Sequence, residues 1–248
     1  MWRHISASVV GSSHASSNTP CQDHTQVTEL ADGSILLTCS DGAGSAAFSE
    51  LGSAIACLTL ADELSLYTRD GGRLERIDRS TVSMWVTRIR EKLEVQARAL
   101  GVDLRELACT IVAAIVSSDG ATFFQIGDGA IVTVSEDGPC EVVFWPDQGE
   151  YVNTTFFITT PDATERLQFE RRSISVRDIA VFTDGLQSVA LRYDEKKPHE
   201  PFFAPMFARL RADEDWQALA DPLRGFLLSE ALAKRTDDDK SLILASKI

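Results

Sequence analysis

"SILLTCSDGAGSAAFSE" (residues 34–50) drives an apolar run, Ile35 to Cys39, straight into Asp41 and then a Gly-Ala-Gly-Ser turn. Beyond the turn, Phe48, Leu51, Ile55 and Leu58 recur at helical spacing and share one face. The stretch therefore reads as strand, sharp turn, helix, with a carboxylate at the end of a core strand. An acid in that position costs on the order of several kcal/mol of desolvation unless something cationic meets it. Asp-Gly is also an ordinary turn dipeptide, so the other Asp-Gly pairs in the chain have to decide between the two readings.

There are seven such pairs, beginning at Asp32, Asp41, Asp70, Asp119, Asp128, Asp137 and Asp184. Those at Asp32, Asp70, Asp119 and Asp137 follow polar or small residues between elements, and turn chemistry accounts for them. The other three end β-like apolar runs: "ILLTCS" before Asp41-Gly42, "FFQIG" before Asp128-Gly129, and "IAVFT" before Asp184-Gly185. Two further acidic positions flank apolar runs: Asp237, Asp238 and Asp239 precede the last one, and Asp23 of "CQDH" precedes the run at 25–30. Strand-end carboxylates from distant sites can converge at one edge of a sandwich. A cluster of hard oxygen donors with almost no His or Cys suits Mg²⁺ or Mn²⁺ and not Zn²⁺. The competing reading is that the same carboxylates merely cap backbone amides.

Further β-type runs lie at 2–9, 107–117, 121–127, 129–135, 141–145, 154–160, 174–183 and 241–246, several joined by tight turns. Val82, Trp85, Val86, Ile89, Leu93, Ala97 and Leu100 form a long helical stripe closed by Gly101. Residues 203–211 and 215–234 read as helices, with Asp221-Pro222 marking a helix start. Residues 187–203 are polar, contain two prolines and read as a mobile surface segment. Helices in two blocks, with strands filling the rest, predict an α+β fold: two antiparallel β-sheets forming a sandwich flanked by helices on both sides.

The 248 residues suit one domain, 1–248. Net charge of -13, from 24 Lys+Arg against 37 Asp+Glu, argues against nucleic-acid and anionic-membrane partners. No signal-like start and no apolar stretch of membrane-spanning length is present. The five cysteines are odd in number and scattered, without CxxC, which predicts reduced thiols in a cytoplasmic protein.

The same acidic segments resemble, in order along residues 11–246, the motifs of the PP2C-type metal-dependent serine/threonine protein phosphatases, the shorter bacterial branch in particular. "CQD" resembles their N-[QE]-D, "SDGAGS" their DG-x-G-G/S, and "LACTIVAAIV" their G-[ST]-T strand. "QIGDGAIV" resembles the GDSR-type strand, "DIAVFTDGLQ" the D-x₅-SDGL segment, and "TDDDKSLILA" the terminal S-x-D-N-x-[ST]. The resemblance implies the fold predicted above, as paired antiparallel sheets between helical layers. It implies hydrolysis of phosphoserine and phosphothreonine on proteins by a water activated at a dinuclear Mn²⁺ or Mg²⁺ centre. By the same resemblance Asp41 bridges the two core ions, the Gly42 carbonyl reaches the second, and Asp184 and Asp238 hold the first. Asp128 with Asp184 holds a third, weaker ion, and Asp23 acts through metal-bound water. The substrate is then a phosphorylated protein, and a serine/threonine kinase the natural counterpart.

Three positions depart from the family pattern. Asn18 stands five residues before Asp23, where the family has a phosphate-gripping Arg, whereas "GSSH" keeps the G-x-x-R spacing with His14 in the Arg place. His14 is therefore a candidate for binding phosphate or donating a proton. Ala43 occupies the place of a His regarded as general acid in eukaryotic members, and Asp239 and Lys240 replace the usual Asn and an apolar residue. These departures define an alternative from a different class, a catalytically weak relative serving as a binding or scaffold partner. Other phosphate chemistries fit less well. No Cys-x₅-Arg, GxxxxGK[ST] or GxSxG is present, and "DDDKS" precedes the last strand, the wrong place for an aspartate nucleophile.

Overall fold

The computed structural model describes residues 1–136, 138–146 and 155–248. The chain opens with β1 (Trp2–Val9), α1 (Ser12–Ser17), β2 (His24–Glu29) and β3 (Ile35–Ser40). Two long helices follow, α2 (Ser49–Arg69) and α3 (Arg79–Leu100). Next come β4 (Ile111–Ser117), β5 (Gly120–Ile126), β6 (Ala130–Ser135), β7 (Cys140–Val142), α4 (Ala163–Arg166), β8 (Gln168–Arg172) and β9 (Val176–Phe182). The last part holds α5 (Gln187–Ala190), β10 (Leu191–Arg192), β11 (Lys197–Pro198), α6 (Glu200–Ala212), α7 (Ala220–Leu227), α8 (Glu230–Ala233) and β12 (Lys240–Lys247).

Two five-stranded antiparallel sheets result, ordered β1-β12-β9-β6-β7 and β2-β3-β4-β5-β8. The side-chain period of two explains why their central strands read as continuous apolar runs. In β4, Val112, Ala114 and Val116 point into the sandwich with Ile131, Val181 and Ile243 of the other sheet. Ile111, Ala113 and Ile115 point outward onto α2 and α3, against Leu60, Trp85 and Ile89. The opposite sheet does the same, with Ala180, Phe182, Leu242 and Leu244 facing outward onto Phe203, Phe207 and Leu223 of α6 and α7. Four layers with three apolar interfaces leave both sheets buried on both faces, as the α+β prediction required.

α3 begins where Asp78 accepts a hydrogen bond from the Thr81 amide (2.8 Å) and ends at Gly101 in the left-handed region, φ 69°. Among the described residues, no helix is long and apolar enough to cross a membrane.

Several expectations are corrected. The strand expected at 154–160 is not formed: residues 155–157 are irregular and 158–160 turn, because Ile158 instead bonds back to the Cys109 carbonyl (2.9 Å); residue 154 lies outside the described residues. The run at 107–117 is a strand only from Ile111, since Ala108 and Thr110 are engaged by the turn after Asp41. Residues 187–203 are built into the fold: β10 pairs with β11, and Leu191 and Phe203 are buried in the outer core. Residues 215–234 form a turn and two short helices, broken near Ser229. β8 and α1 were not anticipated; β8 is an edge strand whose "QFERR" offers one buried-side aromatic, and α1 has no buried residue. The expected Asp137-Gly138-Pro139 turn lies partly outside the described residues.

Candidate metal centre

The topology gathers the carboxylates before any side-chain detail is considered. β3 ends and β2 starts at one edge of their sheet, His24 opposite Ser40, and β5 ends there as β4 starts, Ile111 opposite Ile126. In the facing sheet β9 ends where β12 and β6 start, Phe182 opposite Leu242 and Ala130. Asp23, Asp41, Asp128, Asp184 and Asp238 all sit at these strand ends, so an antiparallel sandwich places them at one end of the molecule.

Carboxylate oxygens of Asp41, Asp128 and Asp184 lie within 4.8 Å of one another. Asp23 is buried beside them, accepting from the Thr183 hydroxyl (2.7 Å), and its charge bears on Asp41. Asp238 approaches from the start of β12 and adds its charge to the surroundings of Asp184. The turn residues are held from outside the cluster. Asp41 donates its amide to the Thr110 hydroxyl (2.9 Å), and its carbonyl accepts from the Thr110 amide (2.8 Å). Ala43 donates to the Ala108 carbonyl (2.9 Å), and among the described residues the Gly42 carbonyl accepts no hydrogen bond.

Two glycines are required here by close approach. A Cβ on Gly185 would stand 1.9 Å from the Asp239 carbonyl oxygen, and one on Gly42 2.7 Å from the Gln22 carbonyl oxygen. The first contact packs the end of β9 against the start of β12, bringing Asp184 to Asp238. The second packs the Asp41 turn against the segment carrying Asp23.

Burial is the largest cause of the raised affinity for protons at Asp23, Asp41, Asp184 and Asp238. It pushes the Asp23 carboxyl up to about 7, against the opposing hydrogen bond from Thr183. Asp41 is raised by burial and then by the Asp23 and Asp184 charges; Asp184 by burial and then by Asp128 and Asp238. Asp238 is raised by burial, offset in part by the Asp239 amide. Carboxylates packed this closely repel each other unless cations stand between them. Asp23 Oδ1 and Asp128 Oδ1 are buried without a hydrogen-bond partner among the described residues. Orphaned hard-oxygen donors facing one cluster are what a divalent cation of the Mg²⁺ or Mn²⁺ kind fits.

His14 lies at the rim. Its Nδ1 is 3.0 Å from Asp239 Oδ1, off the line of a directed hydrogen bond, and its Nε2 is 3.6 Å from where a Cβ on Gly44 would stand. Asp239 itself is buried and clamps the chain, accepting from the Gly11 amide (2.7 Å) and the Gln22 amide (2.6 Å). The replacement at the family's Asn position is thus a structural anchor for both His14 and the Asp23 segment. Lys240 is also buried, its ammonium donating to the Asp238 carbonyl (2.9 Å).

Sequence reasoning missed the supporting polar residues Thr110, Thr183, Gln187 and Tyr193. Gln187 donates to the Asp128 carbonyl and accepts from the Tyr193 hydroxyl, which packs edge-on against Trp145 at 5.4 Å. Thr155 donates to Asp128 Oδ2 (2.7 Å). Thr110, Thr183 and Gln187 sit inside or beside the apolar runs already singled out, and that adjacency was the available signal.

A family model described as "Protein phosphatase 2C" matches residues 10–227. "Serine/threonine-protein phosphatase 3" of Escherichia coli (strain K12) is 39% identical over 250 residues, covering 98% of this chain and 98% of that protein. Among solved structures, the S. agalactiae serine/threonine phosphatase superposes with a TM-score of 0.65 at 16% identity, over 100% of both chains. The catalytic domain of the serine/threonine protein phosphatase PstP, solved with 2 manganese ions, gives 0.61 at 16% identity over 99% of this chain and 97% of that one. At these identities the solved structures bear on the fold, and the fold is the same.

Proposed function

The chain belongs to the protein phosphatase 2C family, and from that premise we propose that it hydrolyses phosphoserine and phosphothreonine on proteins at two divalent cations, manganese or magnesium. The carrying observation is the convergence of Asp41, Asp128 and Asp184 within 4.8 Å at the strand ends, with Asp23 and Asp238 beside them. Asp41 and the Gly42 carbonyl, Asp184 and Asp238 would hold the two core ions; Asp128 with Asp184 would hold a third, and Asp23 would act through its solvent shell. Ions held there would lower the pKa of water and neutralise phosphoryl oxygens. The solved PstP domain with manganese supports that choice of metal.

The rest is done by the chain itself. Thr183 and Thr110 hold Asp23 and the Asp41 turn in place, so the acidic donors are positioned before substrate arrives. Water bonds to phosphorus, the ester P–O bond breaks, and the leaving serine or threonine oxygen needs a proton. Ala43 offers none, and His14 Nε2, over the Gly44 loop, is the side chain we assign either to that proton or to the grip on the phosphate. The pairing of β1 with β12 supports treating 1–248 as one catalytic domain. Free, largely buried thiols support a cytoplasmic setting, with a protein kinase as the opposing activity.

Phosphate release from a phosphothreonine peptide is expected to appear with Mn²⁺ or Mg²⁺ and vanish with chelator. No release at any concentration of either metal, with metal still bound, would transfer the assignment to the scaffold reading. His14→Ala is expected to lower kcat/KM on that peptide by roughly tenfold to a hundredfold. p-Nitrophenyl phosphate separates its two roles, because nitrophenolate leaves without a proton. Loss on both substrates marks a phosphate grip, and loss on the peptide alone marks a proton donor. Unchanged kinetics on both removes His14 from the site.

A further inference from the structure

A cavity of about 650 Å³ lies against the outer face of the first sheet, walled by α5, α6 and α7 and remote in chemistry from the acidic cluster. Ile5 and Leu244 form its floor, and Phe202, Leu223, Phe226 and Met206 its apolar walls. The volume falls in the range of about 300–1,000 Å³ of small-molecule sites. Pro201, Pro205 and Pro222 also line it, so stretches of both flanking helices carry residues of preset φ.

The charge on the wall is the unexpected part. In a chain with 37 Asp+Glu against 24 Lys+Arg, no acid among the described residues lines this cavity, while Arg192, Arg209, Arg235 and His199 do. Arg192 is oriented by Glu195 (3.0 Å) and donates to His199 Nδ1 (3.2 Å). Arg209 has, among the described residues, only a distant carboxylate, Asp213 at 3.9 Å. Arg235 has no carboxylate within 4.0 Å among the described residues. An apolar cavity rimmed by guanidinium groups on an otherwise acidic protein is complementary to one chemistry: an apolar body with an anionic head.

We propose that this cavity binds a small amphipathic anion, its alkyl part between α6 and α7 and its carboxylate or phosphate head on Arg235, the rim guanidinium with no carboxylate partner among the described residues. The site stands independently of the phosphatase reading, since none of its residues belongs to the acidic cluster. Calorimetric titration of the full, manganese-saturated chain with octanoate, decanoate, decyl phosphate and neutral 1-octanol tests it. Each added methylene is expected to tighten binding about fourfold, making decanoate more than tenfold tighter than octanoate. Octanol is expected to bind at least tenfold more weakly than octanoate, and Arg235→Gln, at an exposed position, to weaken decanoate about tenfold. Met206→Trp, which fills the cavity from a half-buried position, is expected to abolish binding with the melting temperature retained. The tighter of decanoate and decyl phosphate identifies the preferred head. Octanol binding as tightly as octanoate, binding that survives Met206→Trp, or no binding by either anion overturns the proposal.

Discussion

Asp41→Asn is expected to reduce manganese-dependent phosphate release by on the order of a thousandfold or more, while making the metal-stripped protein more stable. The first effect follows from position. Asp41 lies with Asp128 and Asp184 within 4.8 Å of one another and feels the charges of Asp23, Asp184 and Asp128. A neutral amide there leaves one fewer charge to hold cations whose stabilisation of the transition state amounts to several kcal/mol. The second effect follows from the same crowding. In the stripped protein the Asp41 carboxyl is held well above its ordinary range, by burial first and its neighbours next, so it opposes folding at neutral pH. Asn keeps the shape, can donate to Asp23, and carries no charge to desolvate. Steady-state assay with phosphothreonine peptide and thermal melting in chelator read the two halves. Near-normal turnover would remove Asp41 from the metal centre. Lost turnover with a lowered stripped melting temperature would mean that the variant fails through the fold.

That pairing of lost activity with gained stability marks which parts of the molecule could be read in advance. The acids at strand ends were legible because a carboxylate closing an apolar run conflicts with its surroundings, and local conflict is a signature of a site. The layered fold was legible for a related reason. Ile111, Val112, Ala113, Ala114, Ile115 and Val116 are apolar without alternation, as a strand buried on both faces must be. Thr110, Thr183, Gln187 and Asp239 were not assigned, since each acts through hydrogen bonds to backbone or carboxylate groups far away in sequence. Asp239 illustrates the limit: its two amide donors, Gly11 and Gln22, lie 228 and 217 residues away. Nor does composition reveal that residues 187–203 are built in. Their polar count is high, but Leu191 and Phe203 supply the buried contacts that anchor them.

The stability of the stripped protein is expected to fall as pH rises from about 4 to above 7, and manganese is expected to remove that dependence. Asp23, Asp41, Asp184 and Asp238 all have folded-state pKa values raised from the ordinary value of 3.8, Asp23 to about 7. A raised acid binds more protons in the folded chain than in the unfolded one. Its contribution is therefore fully present below the unfolded pKa and is lost as pH climbs through the folded pKa. For Asp23 that window runs from about 4 to about 7, and the loss is roughly a few kcal/mol. Asp78, held down to about 2 by the Thr81 amide and hydroxyls at the start of α3, acts in the opposite sense, but only below pH 4 and outside that window. Cations favour the charged forms, so the gap in melting temperature between manganese-saturated and stripped protein should widen steadily between pH 5 and 8. Stripped Asp23→Asn and Asp41→Asn should each flatten the stripped profile, which isolates the cluster from every other titrating group. A stripped profile that rises over pH 5–8, or a gap that stays constant, would show that these carboxylates are neutralised by something other than metal, and the two-cation assignment would fall with it.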